Sequence, residues 1–533
     1  VRKTAPIVPN HNEAPSHFAD RLGLQYSQSV TTGHKKQNGQ FFTPSPIAYF
    51  MGSLSNNESA HLRILDPGFG AGILTCALIE SLVGRNHQLK SIDLVAYETD
   101  VFLIPYAEQS INYLKDWLQS KGIKLNYFLE INDFVLDNAM VLSKSGLFSD
   151  LKQPFDIIIS NPPYFKLSKD DARTLAASAV VSGQPNIYCF FMAIAAKLLK
   201  PGGELIFITP RSFASGNYFK AFREFFFSKV QAERIHLFVS RKDTFSRDSV
   251  LQETVIMKAI QTHAIAQNKQ VLVSSSHGLK DINSPSVKYF KVGDIIDFSS
   301  KEKFFHLPVN DTDEAILNIF KSWTGSLNKY GLQISTGPVV SFRSWDFIHE
   351  KYENGSVFLA PLFWLHNVSK MLLEWPLPRP NKGQYIRIQP ESKSLLIPNK
   401  NYILLRRFSS KDDKSRLVAA PYFCNFIEAD FIGVENKVNY IYRPIGHLDR
   451  NEVVGLCALL NSELFDSYFR IFNGNVNVSA TELREMSLPP LAHIKEIGNR
   501  IILSNNYTMQ NVNDTVNEYF QLSALFSPAY EQD

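Results

Sequence analysis

Four consecutive residues, Asn161-Pro162-Pro163-Tyr164, carry a carboxamide, a proline carbonyl and an aromatic ring. They follow Phe155-Asp156-Ile157-Ile158-Ile159-Ser160, a short apolar β-branched run that predicts a strand buried on both faces. Two prolines end it, because proline can neither donate to a sheet ladder nor enter a helix interior freely. The amide and the ring are therefore expected on a stiff turn at the carboxyl end of a strand, where open α/β sheets bind ligands. Two carbonyl oxygens beside a flat π-face suit a planar ring bearing an exocyclic amine.

The elements that must position this turn are readable upstream. Leu62-Arg63-Ile64-Leu65 predicts a buried strand, Asp66-Pro67-Gly68-Phe69-Gly70-Ala71-Gly72 a glycine turn, and Ile73 to Leu82 a helix. Strand, glycine turn and helix open a nucleotide-binding βαβ unit, in which the backbone approaches the ligand and the helix N-terminus faces it. By itself this pattern equally fits a tight turn in an unrelated α/β protein. Leu94-Val95-Ala96-Tyr97 predicts the next strand and ends at Glu98, where a carboxylate accepts from ribose hydroxyls. Taken singly, Glu98 also reads as a solvated strand-end acid. A third strand, Tyr127 to Ile131, ends in Asn132-Asp133-Phe134. Asp133 suits an adenine amino group with Phe134 packed on the ring, or it caps a turn. Four successive strand ends with this chemistry argue for one shared site.

On these residues the chain resembles the N6-adenine DNA methyltransferases of type II restriction–modification systems, in the gamma arrangement. There the cofactor motifs precede the Asn-Pro-Pro-Tyr motif and a target-recognition domain follows. The resemblance extends to Asn38-Gly39-Gln40-Phe41-Phe42-Thr43-Pro44, which in the family closes over the methionine end of S-adenosylmethionine. It continues through a helix from Asn186 to Leu199, a turn at Lys200-Pro201-Gly202-Gly203, a strand from Glu204 to Thr209, and the last catalytic motif, Phe245 with Val250 to Ile256. One departure is Phe69, which stands where a small residue or cysteine is common.

The resemblance implies a Rossmann-like α/β methyltransferase domain with a mostly parallel seven-stranded sheet, followed by a mixed α/β target-recognition domain. It assigns cofactor binding to Phe42, Thr43, Asp66, Gly68, Gly70, Glu98, Asp133, Phe134 and Asn161. It makes Asn161, Pro162 and Tyr164 catalytic. The Asn161 oxygen and the Pro162 carbonyl accept the two N6 hydrogens, and Tyr164 and Phe245 stack on the two faces of a flipped adenine. Read without its neighbours, Tyr164 is a core aromatic beneath a turn. The same tetrapeptide occurs in enzymes acting on RNA adenine or on a protein glutamine amide, so it does not separate these substrates. A catalytically silent DNA-binding subunit is a further reading, which the intact motifs disfavour.

The expected organisation is an N-terminal arm over residues 1–36, helical around Ser16 to Leu24, a catalytic domain over 37–265 and a recognition domain over 266–533. The polar stretch Gln261 to Ser286 reads as the connector, and DNA is expected between the two domains. A second half this large favours DNA over a protein amide. Its segments Gly331 to Arg343, Leu405 to Lys411 and Asn473 to Leu483 resemble segments of the same subfamily. Arg343, Arg406, Arg407 and Lys411 are the candidate DNA contacts, with Lys414 and Arg416 completing the basic cluster. Arginine suits phosphates and guanine edges, although each also fits a solvated loop. The loop Asn473 to Asn477 reads as a groove-entering segment or a simple turn.

Size and composition agree. A chain of 533 residues exceeds one typical core. With 44% hydrophobic and 20% charged residues it has an ordinary globular balance, and a net charge of +4 permits a local basic surface without proving one. Cys76, Cys189, Cys424 and Cys457 lack zinc-ligand spacing and read as reduced buried thiols. No apolar run is long enough to span a bilayer and no signal-peptide core is evident. The expectation is a monomeric cytoplasmic protein with double-stranded DNA as partner, no metal, no fused nuclease and a separate cognate endonuclease.

Overall fold

Ile157 and Ile159 enter the core on one side of their strand and Ile158 on the other, and all three are fully buried. The continuous apolar run is thus covered on both faces, as such runs require. The computed structural model describes residues 7–142, 153–180, 185–238, 253–350, 358–409 and 413–526. It divides into two compact units, Val1–Val309 and Asn310–Asp533.

Unit 1 carries a nine-stranded sheet. Its strands are β1 (His61–Asp66), β2 (Ser91–Tyr97), β3 (Lys124–Glu130), β4 (Phe155–Ser160), β5 (Leu199–Pro210), β6 (Val230–Phe238), β7 (Thr254–Gln261), β8 (Gln270–Ser276) and β9 (Ser286–Lys291). They lie in the order β3-β2-β1-β4-β5-β7-β6-β8-β9. The first five pair in parallel, and β7 inserts antiparallel between β5 and β6. The strand order reverses between β1 and β4, so their carboxyl ends flank the crevice where such sheets bind ligands.

Among the described residues the α-helices of unit 1 are α1 (Pro15–Ser29), α2 (Thr32–Asn38), α3 (Ser45–Gly52), α4 (Ile73–Arg85), α5 (Ile104–Gln119), α6 (Phe134–Asn138), α7 (Ala172–Ala176), α8 (Ile187–Leu198), α9 (Lys220–Phe226) and α10 (Val292–Ile295). Ile47 and Met51 of α3, Leu74 and Leu78 of α4, and Ile111 and Leu114 of α5 fill one side of the sheet. Phe190 and Ile194 of α8 and Phe222 and Phe226 of α9 fill the other. On α5 the buried Ala107, Ile111, Leu114 and Leu118 recur at helical spacing, the stripe that holds an amphipathic helix to a core. Only Lys197 of α8 escapes burial, so that helix is enclosed all round.

Several expectations differ from what forms. The sheet has nine strands rather than seven, because the segment read as a connector contains β8, whose Val271 and Val273 are buried. The unit accordingly runs on to Val309. The N-terminal arm is helical where expected, over Pro15–Ser29, and is packed: Ala19, Leu22 and Tyr26 of α1 are fully buried, and the helix lies against α4 and α5. Lys200 to Gly203 belong to β5 but are looped out of the pairing, which steps from Phe155–Leu199 to Ile157–Glu204, with Gly202 at φ +79°. Phe245 and the first part of the last motif lie outside the described residues. Cys76, Cys189 and Cys457 are buried free thiols, whereas Cys424 is exposed.

Unit 2 is mixed α/β. A four-stranded antiparallel sheet joins Gln333–Thr336, Val438–Tyr442, Tyr402–Arg406 and Ala419–Tyr422 in that order. A five-stranded mixed sheet orders Ile348–His349, Tyr385–Arg387, Leu359–Phe363, Phe431–Val434 and Leu396–Pro398. Helices Arg450–Asn461 and Leu491–Ser504 cross at two glycines. A methyl group on Gly455 would lie 1.9 Å from the Ile494 carbonyl oxygen, and one on Gly498 would lie 2.1 Å from that of Asn451. Backbone cannot yield as a flexible side chain can, so added volume here must part the helices. Gly455→Ala is expected to cost about 1–3 kcal/mol, the usual penalty of overpacking, seen as a lowered calorimetric transition. Gly84→Ala, in open space on α4, is expected to leave the transition unchanged or slightly raised.

Candidate active site

β1 ends at Asp66, which is fully buried and accepts hydrogen bonds from the Gly68 amide (3.2 Å) and the Thr75 hydroxyl (2.8 Å). Burial pushes its pKa up to about 7, because a charged carboxylate is costly without solvent. The side chain lies behind the glycine loop and shapes it, whereas Gly68 and Gly70 face the cavity. Gly70 and Gly72 take φ values of +61° and +87°, a region disfavoured for side chains. A methyl group on Gly72 would come within 2.5 Å of the Phe69 ring. This accounts for the unusual Phe69: its ring is 4% exposed and tucks into the space that Gly72 leaves.

Residues 39–44 form a strap along the same cavity. The Asn161 amide nitrogen donates to the Phe41 carbonyl at 2.9 Å and to the Thr43 hydroxyl oxygen at 3.0 Å. Both amide hydrogens are thereby engaged, which fixes the orientation of the carboxamide and leaves its oxygen as the acceptor. That oxygen receives the Tyr164 hydroxyl in one geometry, with the Ile208 carbonyl (3.0 Å) as that hydroxyl's other acceptor. A carboxamide oxygen has two lone pairs, so capacity for a second donor remains. Tyr164 is 8% exposed, and the Phe41 ring stacks on it at 5.6 Å and 23°. The ring expected to meet the base is thus covered by a neighbour.

The other strand ends converge on the same cavity of about 380 Å³, which Glu98, Asp133, Phe134, Asn161, Phe42 and Thr43 all line. Glu98 accepts from the amides of Gly70 (3.1 Å) and Asp100 (2.8 Å). Burial raises its pKa to about 7, and the neighbouring Asp100 charge adds to the rise. Asp133 caps α6 through the amides of Val135 and Leu136 at 2.8 and 3.1 Å, so the turn-capping role is realised. Its second oxygen faces the cavity-lining Arg173 at 3.6 Å. Phe134 is 2% exposed and packs edge-on to Tyr97.

Three features of the site went unseen in the sequence. Arg173 stands on a five-residue helix with no pattern of its own. Its guanidinium pairs with Asp171 and lies 5.5 Å from the Phe165 ring centroid. Asp100 accepts from the Tyr26 hydroxyl, from His34 Nε2 at 2.7 Å, from Gln40 Nε2 at 2.7 Å and from the Phe102 amide at 2.9 Å. It therefore ties α1, α2 and the strap to the loop after β2. The hydroxyl of Ser160, fully buried at the end of β4, has no hydrogen-bond partner among the described residues. Its neighbour Asn161 was the only signal that pointed there.

In unit 2, Arg343 is exposed and lies 5.3 Å from the exposed Phe342 ring centroid. Arg406 donates to the Val368 carbonyl and Arg407 to the Asn436 carbonyl, and both are half-buried. Lys411 lies outside the described residues. Arg416 departs from the basic-cluster reading: it is fully buried, bound to Ser409, Asn473 and Asn475, and so holds the protein's own loop. The loop Asn473 to Asn477 is a knit turn, since Asn473 also donates to the Asn477 carbonyl and to Glu482.

A family model described as Eco57I restriction-modification methylase matches residues 85–245. The type II methyltransferase M.BsuBI of Bacillus subtilis is 34% identical over 88% of this chain and 91% of its own length. The type II methyltransferase M.PstI of Providencia stuartii is 31% identical over 91% of this chain and 93% of its own. The chain belongs to the type II methyltransferase family of restriction–modification systems. Among solved structures, a cryoEM structure of a DrdV–DNA complex matches 93% of this chain and 60% of that one at 14% identity, with a TM-score of 0.48.

As a DNA methyltransferase of this family, the protein uses S-adenosylmethionine as methyl donor. The cavity fits that molecule. Left-handed glycines bring bare backbone to its wall, two acids at strand ends suit hydroxyl and amino donors, and Phe134 and Phe165 offer apolar surface. Among the described residues no group of three or more His, Cys, Asp or Glu side chains is placed to hold a metal ion, and no helix is long and apolar enough to cross a membrane.

Proposed function

We propose that this enzyme methylates the N6 amine of an adenine turned out of duplex DNA, as the modification partner of a separate endonuclease and as a monomer inside the cell. The observation that carries the reading is the orientation of Asn161, with both amide hydrogens engaged by the strap. A carboxamide held this way presents an acceptor, which suits an amine and not a carbonyl. The Pro162 carbonyl beside it supplies a second acceptor for the second amine hydrogen. These bonds strengthen as the planar nitrogen becomes tetrahedral, so they favour the transition state over the ground state.

Bound S-adenosylmethionine supplies an electrophilic methyl group on sulfonium sulfur. The protein's task is to hold the amine and orient its lone pair, and positioning of this kind accounts for much of the acceleration. No strong general base is needed, because the amine nitrogen becomes acidic as it gains its fourth bond. Tyr164 is assigned one face of the base and Phe245 the other. Glu98 is assigned the ribose hydroxyls, Asp133 with Phe134 the cofactor adenine, and Phe42 with Thr43 the methionine end. Gly68 and Gly70 give close backbone approach, and Asp66 supports them from behind. Turning a base out costs a few kcal/mol, offset by the stacking and the two hydrogen bonds. In unit 2, Arg343, Arg406, Arg407 and Lys411 are assigned phosphate or base-edge contacts.

The test is methyl transfer from labelled S-adenosylmethionine to unmethylated duplex DNA, followed by digestion to nucleosides. Label in N6-methyldeoxyadenosine is expected, and label in a methylated cytosine, or in RNA or protein alone, would overturn the reading. Asn161→Ala is expected to lower kcat by at least 100-fold, because an acceptor made for the transition state is gone, while cofactor affinity by calorimetry changes far less.

The pH dependence of cofactor binding follows from Glu98. Its carboxyl is neutral below about pH 7, and ribose hydroxyls donate better to the ionised form. Binding therefore favours proton release, and affinity rises with pH up to about 7 and then levels. S-adenosylhomocysteine is expected to bind about 5- to 10-fold more weakly at pH 6 than at pH 8, close to the tenfold per pH unit that linkage allows. Glu98→Gln is expected to flatten that profile.

A further inference from the structure

The strap brings one side chain to the base pocket that no motif assigns. Phe41 stacks on Tyr164 at 5.6 Å and 23°. Tyr188 meets the Tyr164 ring edge-on, at 6.3 Å and 90°, and the Tyr164 hydroxyl is anchored at Asn161 and Ile208. Tyr164 thus belongs to the core beneath the turn, and Phe41, not Tyr164, forms the wall of the cavity. A flat ring arriving from the cavity side meets Phe41 first.

We propose that Phe41 is a positioning residue of the base pocket that competes with the target base for the face of Tyr164. The inference rests on the adenine-flipping reading above and adds a residue to it. Two features let the ring leave without dismantling the site. Its carbonyl, not its side chain, receives the Asn161 amide at 2.9 Å, so rotation about the side-chain bonds keeps the catalytic amide oriented. The neighbouring residues of the strap are also held through their side chains, Gln40 donating to Asp100 at 2.7 Å and the Thr43 hydroxyl oxygen accepting from Asn161 at 3.0 Å. The strap therefore stays in place while one ring exchanges for another. The exchange is between like partners: a phenyl ring and a purine each offer a π-face to the tyrosine, and neither stack is strong enough to exclude the other.

A base must displace Phe41 to seat, whereas an abasic site has nothing to seat. The test measures affinity of the full-length protein, with S-adenosylhomocysteine bound, for two duplexes that differ only in carrying adenine or an abasic residue at the methylated position. For Phe41→Ala the preference for the adenine duplex over the abasic one is expected to rise at least threefold relative to the unaltered protein. Phe41→Trp, which keeps a large ring on Tyr164, is expected to leave the preference unchanged or lower it. A purely structural role would shift both duplexes together. Cofactor-analogue binding and thermal melting check that each variant is folded; if the alanine variant is not, Phe41→Leu, which removes the ring but keeps much of its apolar volume, is expected to raise the preference in the same way, and an unchanged preference there overturns the role. Equal preferences in all three proteins, with N6-methyladenine still formed by the unaltered enzyme, overturn the role of Phe41 alone. Label in another base overturns the reading on which it rests, and the Phe41 role with it.

Discussion

The site depends on one pair of hydrogen bonds, from the Asn161 amide nitrogen to the Phe41 carbonyl and to the Thr43 hydroxyl oxygen. An unrestrained carboxamide can present either end to a substrate. Here both hydrogens are held by a segment about 120 residues earlier in the chain, and the oxygen is what remains. The same contact ties the strap, which lines the cavity, to the Asn-Pro-Pro-Tyr turn. The direction of the carboxamide is thus set by the long-range placement of the strap as much as by the turn itself.

That placement rests in turn on the sheet. β1 and β4 are neighbours at the point where strand order reverses, so the glycine loop and the Asn-Pro-Pro-Tyr turn leave adjacent strands side by side. Buried Asp66 and half-buried Glu98 hold the loop from behind and beside it through backbone amides. Asp100 fastens α1, α2 and Gln40 to the end of β2. Three carboxylates thus organise the cofactor side, and burial sets how readily two of them ionise.

What was legible in the sequence was local. The strand–turn segments at Asp66–Gly72, Glu98, Asp133 and Asn161 each combine a buried run with a turn that stops it, so type and place can be read within a dozen residues. At Asp133 the turn-capping reading is the one the fold realises: one oxygen caps α6 and the other turns toward Arg173. What was hidden depends on partners far along the chain. Arg416 resembled a phosphate contact until Asn473 and Asn475 were seen to enclose it. β8 resembled a linker because its second half is a serine run. Its first half is nevertheless buried beside β6. The direction of the Tyr164 ring, and its cover by Phe41, follow from how the strap lies, which no local pattern encodes.

The central claim is that the strap orients the Asn161 amide, and Thr43 tests it most directly. The measurement is the single-turnover rate of methyl transfer at saturating cofactor for Thr43→Val beside Thr43→Ser. Saturation removes any difference in cofactor affinity. Valine keeps the shape but removes the acceptor, leaving one amide hydrogen unpaired at a cost of about 1–3 kcal/mol, whereas serine retains the hydroxyl. The account predicts a rate at least tenfold lower for valine and close to the unaltered enzyme for serine. Equal rates for the two variants would contradict it.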